Sequence, residues 1–127
     1  MDFQKITQEK YLQSFLSDCE RDESDAVITE FLDDMISLSE QMNMQISPVE
    51  IANNVMCRLG LDGALLDNIE LIAKSDLLKT LNALEVFAFL WLVSCRNNFS
   101  YDENLYVAMV NNKTIGNLLK RLSEIDA

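Results

Sequence analysis

The chain has 127 residues, of which 49% are hydrophobic and 24% charged, and these proportions are typical of a folded domain with a substantial core. Its formal net charge of −11 at pH 7 argues against binding to nucleic acid or to an anionic membrane, because both need a surface of Lys and Arg, and it favours a basic protein partner. With three Gly and one Pro, the chain has few of the residues that frequent tight turns require, so we expect an all-α fold in a single domain, 1–127.

The N-terminal third predicts two amphipathic helices joined by an acidic turn, Asp18–Asp25. The first helix covers about Thr7–Cys19, where apolar residues recur at helical spacing. The second covers about Asp25–Met42. Its apolar residues predict an inner face that contains Val27, Ile28, Phe31, Leu32, Met35, Ile36 and Leu38, and its carboxylates predict an outer face that contains Glu30, Asp33, Asp34 and Glu40.

The clearest helix boundaries predicted by the sequence flank the third helix. Ser47 and Glu50 have the spacing of a capping box, with Pro48 at the first helical position, and Gly60 is suited to a left-handed stop. A fourth helix is expected at about Gly63–Lys74, with Asp62 as its cap.

The most hydrophobic segment, Leu77–Phe99, predicts the centre of the fold. Its residues from Val86 to Val93 are all apolar, and a helix that is apolar all round must be covered on every side. We therefore expect a compact orthogonal bundle of six or seven helices around a buried central helix at about 77–98. This helix has two candidate starts, one near Asp76 and one at Asn82, which has the capping-box spacing to Glu85.

Two further helices are expected near the C-terminus. Ser100 and Glu103 repeat the capping-box spacing and open a sixth helix that continues to about Val110, although Leu105–Val110 is also typical of a strand. Thr114 is the expected cap of a last amphipathic helix, which ends near residue 125.

The three cysteines and the N-terminus favour a cytoplasmic protein. Cys19, Cys57 and Cys95 are odd in number and far apart, so we expect buried or half-buried free thiols in a reducing compartment. The first residues lack the basic and apolar regions of a signal peptide. The longest unbroken apolar run has eight residues, well short of the roughly 20 that cross a bilayer, so no membrane span is expected.

The negative charge is concentrated between residues 18 and 40. Nine acidic residues lie there against one base, Arg21, whereas the rest of the chain has twelve acidic residues and nine basic ones. We therefore predict that this region contacts a basic partner, and the candidate partner-binding residues are Asp22, Glu23, Asp25, Glu30, Asp33 and Asp34.

The sequence offers little material for catalysis, and we expect a protein that is not an enzyme and has no cofactor or metal. It has no His, which is the usual general base and a common zinc ligand, and no Gly-rich phosphate loop. Asp22, Glu23 and Asp25 lack the Gly and the terminal Glu that a calcium-binding EF-hand requires.

Small size, helical patterning, strong acidity and the lack of catalytic groups together resemble the immunity proteins that neutralise bacterial toxins, including those of contact-dependent inhibition systems. The resemblance implies a stoichiometric inhibitor of a cationic nuclease domain. A local similarity to acyl carrier proteins rests on segments that occur in a similar order: Leu59-Gly60-Leu61-Asp62, Asn82-Ala83-Leu84-Glu85-Val86, Phe99 and Thr114-Ile115-Gly116-Asn117-Leu118-Leu119. That family attaches its phosphopantetheine arm to a Ser, and Ala83 at the matching position has no hydroxyl.

The sequence therefore predicts an immunity protein or antitoxin that binds and blocks a basic partner, a cognate toxin domain, through an acidic face. Two alternatives remain open: a helical adaptor or secretion chaperone that binds a protein partner through an apolar groove, and a degenerate carrier-like protein. The sequence leaves the oligomeric state undetermined.

Overall fold

Every regular element that the structure describes is helical. The structure is a computed structural model, and it describes residues 3–16, 25–42, 47–93 and 113–125. Within these ranges it contains six α-helices, one 3₁₀ helix and no strand, which confirms the all-α class for this part of the chain. The helices are α1 Glu9–Leu16, α2 Asp25–Met42, α3 Pro48–Leu59, α4 Leu65–Ala73, the 3₁₀ helix Asp76–Thr80, α5 Ala83–Trp91 and α6 Thr114–Ile125.

Some predicted elements extend beyond the described residues. The sixth predicted helix, Ser100–Val110, with its strand alternative, lies outside them, as do residues 17–19 of the first predicted helix and 94–98 of the central one. Among the described residues, no helix combines the length and the apolar character that crossing a membrane requires.

The central hydrophobic segment divides into two elements, so the single helix predicted at 77–98 is corrected at its start. The 3₁₀ helix ends at Thr80, and α5 begins after Asn82. Asn82 Oδ1 accepts a hydrogen bond from the backbone N–H of Glu85 at 2.9 Å, and Glu85 Oε1 accepts one from the N–H of Asn82 at 2.9 Å. Of the two candidate starts, the one at Asn82 is therefore right, because this capping box satisfies two N–H groups that a helix start leaves unpaired.

Helix α5 lies at the centre of the described core. Its residues from Val86 to Leu90 are all buried, and α5 packs against α3 and α6. The burial is not complete all round, since Leu84 in the first turn is 38% exposed. Arg58 at the end of α3 forms a two-pronged ion pair with Glu85, with nitrogen–oxygen distances of 2.8 and 3.2 Å, and so joins the end of α3 to the start of α5.

Helix α3 has the boundaries that its sequence predicts. Ser47 Oγ accepts a hydrogen bond from the N–H of Glu50 at 3.2 Å, and Pro48 is the first helical residue. Gly60 adopts a left-handed conformation with φ of 69°, and the N–H of Leu61 donates to the carbonyl of Met56 at 3.0 Å. This is the Schellman arrangement, in which a residue with positive φ satisfies the last carbonyls of a helix.

Two predicted helix caps are wrong. Asp62 does not cap α4, because Ala64 occupies that position and makes no side-chain bond, while the Asp62 carbonyl accepts a hydrogen bond from Asn68 Nδ2 at 3.2 Å. Thr114 does not cap α6, because it is the first helical residue and is buried, and the left-handed residue before it is Lys113, with φ of 62°.

Helix α6 approaches α1 so closely that only a glycine fits at the contact. Ile115, Leu118, Leu119 and Leu122 of α6 are buried, as predicted. A Cβ atom placed on Gly116 would lie 2.6 Å from the carbonyl oxygen of Phe15, well inside van der Waals contact. The lack of a side chain at this position therefore sets the distance between the two helices.

Candidate functional site

The six predicted partner-binding residues differ in what the structure describes of them. Asp22 and Glu23 lie outside the described residues. Asp25 is the first residue of α2, but its side chain is not described. Glu30, Asp33 and Asp34 lie in one stretch of α2, and their side chains occupy three different environments.

Glu30 forms an ion pair with α1. Its Oε1 accepts a hydrogen bond from Lys10 Nζ, and both side chains are about half exposed, at 53% for Glu30 and 44% for Lys10. Lys10 Nζ also lies 5.1 Å from the centre of the Tyr11 ring. Because exposed ion pairs contribute little net stability, a cation from another molecule could replace Lys10 at small cost.

Asp34 was predicted to lie on the outer face, but it is largely used within the fold. Its side chain is 20% exposed, and its Oδ2 accepts a hydrogen bond from the hydroxyl of Tyr11 at 2.5 Å. Lys5 Nζ lies 4.0 Å from Asp34 Oδ1 and donates to Ser37 Oγ at 3.1 Å. The carboxylate of Asp34 therefore joins α2 to α1 and to the segment before it.

Tyr11 is the buried partner of this carboxylate. Its side chain is fully buried, and its ring lies 5.3 Å from that of Phe31 in an edge-to-face arrangement. Burial raises the pKa of the Tyr11 hydroxyl well above its usual range, and the hydrogen bond to Asp34 and the nearby negative charges raise it further. Tyr11 therefore stays protonated and acts as a hydrogen-bond donor.

Replacing Tyr11 by Phe should make the protein less stable at neutral pH and change its response to alkali. We expect a loss of about 1.5 kcal/mol at pH 8, since the variant lacks a hydrogen bond to a charged group. In the parent protein, the folded state holds the Tyr11 proton more tightly than the unfolded state does. The resulting stabilisation is fully present below the ordinary pKa of about 10, and above it the free energy of unfolding falls by up to about 1.4 kcal/mol per pH unit. Urea denaturation of both proteins from pH 8 to pH 11 measures this, and parallel curves would contradict it.

Asp33 is the accessible carboxylate among the three that are described. Its side chain is exposed, and it forms no ion pair with another described residue. Glu40, one of the acidic residues predicted on the outer face, is also exposed. The described part of the acidic region thus offers Asp33 and Glu40 directly and Glu30 by exchange, whereas Asp34 is tied to Tyr11.

The described residues give no sign of a metal centre and correct one prediction about the cysteines. They include no group of three or more Cys, Asp or Glu residues placed to hold a metal ion. Cys57, which was expected to be buried or half-buried, is a free thiol on the exposed side of α3. Helical spacing explains this, because Ile51, Ala52, Val55 and Met56 form the buried stripe and Cys57 falls outside it.

Comparisons with known proteins gave no match. No protein-family model matches the sequence, and searches of curated proteins and of solved structures found no significant similarity. The resemblances to immunity proteins and to acyl carrier proteins therefore stay predictions.

Proposed function

We propose that this protein is an immunity protein or antitoxin that blocks a basic partner, a cognate toxin domain, by binding it through the exposed carboxylates of α2. The observation that carries the proposal is the position of Asp33, which is exposed and unpaired among the described residues, close in the chain to Glu30. The net charge of −11 supports the same class of partner.

The proposed mechanism divides the carboxylates of α2 by role. Asp33 and Glu30 face Lys and Arg residues that the partner uses on its own substrate, with the partner's cation displacing Lys10 from Glu30. Asp34 binds Tyr11 and keeps α2 in place on α1. Charge complementarity speeds association and selects the partner, while buried apolar contacts supply most of the affinity.

Two further parts of the proposal concern catalysis and cellular location. We assign no catalytic role to the chain, since its function as an inhibitor needs only binding. A cytoplasmic location is consistent with the free, exposed thiol of Cys57, because free thiols persist in reducing compartments.

Reversing the charge of Asp33 should weaken binding more than reversing another exposed carboxylate. We expect Asp33→Lys to slow association with the partner about tenfold at low salt, because an attraction becomes a repulsion, and to have a smaller effect at high salt. Asp62→Lys is the matched control, since Asp62 is exposed, lies outside α2 and changes the net charge by the same amount. Stopped-flow or surface-plasmon measurements at two salt concentrations give the rates, and equal effects of the two substitutions would contradict a role for α2.

The partner can be sought among the products of neighbouring genes. The adjacent reading frame is expressed from an inducible promoter, with and without this chain, and surviving cells are counted. We expect the neighbouring product to be toxic, this chain to restore growth, and Asp33→Lys to restore it less well than Asp62→Lys. Affinity capture followed by mass spectrometry gives the same partner by a direct route. A captured partner that is acidic, or whose binding does not depend on salt, would contradict the proposal.

A further inference from the structure

A pocket between α4, the 3₁₀ helix and α6 concentrates positive charge on an otherwise acidic chain. Of the ten Lys and Arg residues in the sequence, four line this pocket, together with two carboxylates. The four cations are Lys74, Lys79, Lys120 and Arg121, and the two carboxylates are Asp76 and Glu124. The local excess of cations is opposite in sign to the net charge of −11.

The cations of the pocket are only partly neutralised by their neighbours. Lys74 pairs with Glu70 at 2.9 Å, whereas the Lys79–Asp76 distance is 3.9 Å, and that side chain of Asp76 is fully exposed. Lys120 is exposed and forms no ion pair with another described residue. An exposed ion pair as long as that between Lys79 and Asp76 is weak, so Lys79 and Lys120 are available to another anion.

Arg121 is the fixed group of the pocket. Its Nη2 donates a hydrogen bond to the backbone carbonyl of Lys79 at 3.0 Å, and its Nη1 lies 3.6 Å from Glu124, beyond good hydrogen-bond distance. Its Nε is buried and has no hydrogen-bond partner among the described residues. The guanidinium is therefore oriented by one firm bond and retains further N–H donors, which is the arrangement that planar, multidentate anion recognition uses.

The wall of the pocket next to Arg121 is also held in place by side-chain bonds to the backbone. Asn117 Nδ2 donates to the carbonyl of Ala73 at 3.1 Å, which joins α6 to the end of α4. Ser75 Oγ accepts a hydrogen bond from the N–H of Leu77 and donates to the carbonyl of Ile72. The pocket is thus formed before a ligand arrives, which lowers the entropic cost of binding.

We propose that this pocket binds a small phosphate-bearing ligand. Its volume of about 270 Å³ accommodates a phosphate group with a short substituent and is small for a drug-sized molecule. Phosphate carries more than one negative charge near neutral pH and offers several acceptor oxygens, so it can contact Arg121 and the surrounding lysines together. A monocarboxylate has one charge and two oxygens, and it matches this set of donors less well.

Titration followed by NMR tests the proposal on the whole chain. Inorganic phosphate, glycerol 3-phosphate and acetate are added separately at constant ionic strength, with chloride as the reference salt. We expect saturable shifts of the Arg121 Nε–H signal and of the Lys120 amide with both phosphate compounds, and binding at least about fivefold weaker with acetate. Tighter binding of the ester than of free phosphate would identify a phosphate monoester as the ligand, and the reverse order would identify the free ion.

Substitutions distinguish phosphate binding at this pocket from a general effect of the protein's charge. Lys120→Gln and Lys79→Gln should each weaken phosphate binding roughly five- to tenfold, because each removes one charged donor. Both side chains are exposed, so the fold should persist in both variants. Lys10→Gln is the control, since it removes the same charge from α1 and should leave the affinity unchanged. The proposal would be overturned if chloride caused the same NMR shifts as phosphate, or if all three variants lost phosphate affinity equally.

Discussion

Replacing Phe31 by Ala should lower the free energy of unfolding by about 3–5 kcal/mol. Phe31 is fully buried on α2, and its ring lies 4.9 Å from that of Phe15 and 5.3 Å from that of Tyr11, both on α1. The substitution removes the apolar contacts that dock α2 on α1 and leaves a cavity that the two α1 rings cannot fill. Since domains of this size are stable by only about 5–15 kcal/mol, the loss is a large part of the total.

Urea denaturation followed by circular dichroism measures the effect, and Ile36→Ala on the same helix is the matched control. Ile36 was predicted on the inner face, but it is 36% exposed, so its truncation should cost less than about 1.5 kcal/mol. Hydrogen exchange shows where the loss falls, and we expect the amides of α1 and α2 to lose more protection than those of α3 and α5. Equal destabilisation by the two substitutions would contradict the position of Phe31 between the helices.

The sequence predicts well those parts of the fold that depend on interactions between residues close together in the chain. The boundaries of α3 follow from Ser47 and Gly60, which act within one turn of the helix ends. The capping box of Asn82 and Glu85 is equally local, and it decides where α5 starts. Apolar spacing also predicts the buried faces of α3 and α6, because the 3.6-residue period is a property of the helix itself.

The candidate site could be predicted only in part, because its pairs join residues far apart in the chain. Composition indicates that the region of residues 18–40 is acidic, but it gives no means of telling a free carboxylate from a paired one. Tyr11 and Asp34 are 23 residues apart, and Lys10 and Glu30 are 20 apart. Such pairs depend on how α1 packs on α2, so the sequence placed Asp34 and Asp33 on the same outer face although only Asp33 is free to bind a partner.

The sequence does not predict the basic pocket, for a related reason. Lys74 and Lys79 are 41 to 47 residues from Lys120 and Arg121, and each pair is accompanied by carboxylates nearby in the chain. Packing of α4 and the 3₁₀ helix against α6 brings the four cations together. The described part of the molecule therefore carries exposed carboxylates on α2 and a group of cations around the pocket, and neither the net charge nor the local sequence indicates the second group.

Replacing Gly116 by Ala should destabilise the protein by about 2–3 kcal/mol, even though Ala is more favourable than Gly inside a helix by about 1 kcal/mol. The new Cβ would lie 2.6 Å from the carbonyl oxygen of Phe15 and 2.7 Å from Cδ2 of Leu16. Real Cβ atoms essentially never approach other atoms this closely, so α1 and α6 must move apart. Thermal and urea denaturation measure the loss, and an unchanged or higher stability would contradict the close approach.

Two further variants identify the cause of the Gly116 effect. Gly60→Ala tests backbone strain alone, because Gly60 has φ of 69° and, apart from its chain neighbours, no described residue lies within 4 Å of the added Cβ, so we expect a loss of about 1–2 kcal/mol. Leu16→Ala combined with Gly116→Ala removes the flexible contact but leaves the clash with the Phe15 carbonyl. Because a backbone oxygen can move only with its helix, we expect no rescue in this double variant. Recovery of stability there would show that the Leu16 side chain, and not the separation of α1 and α6, makes glycine necessary at this position.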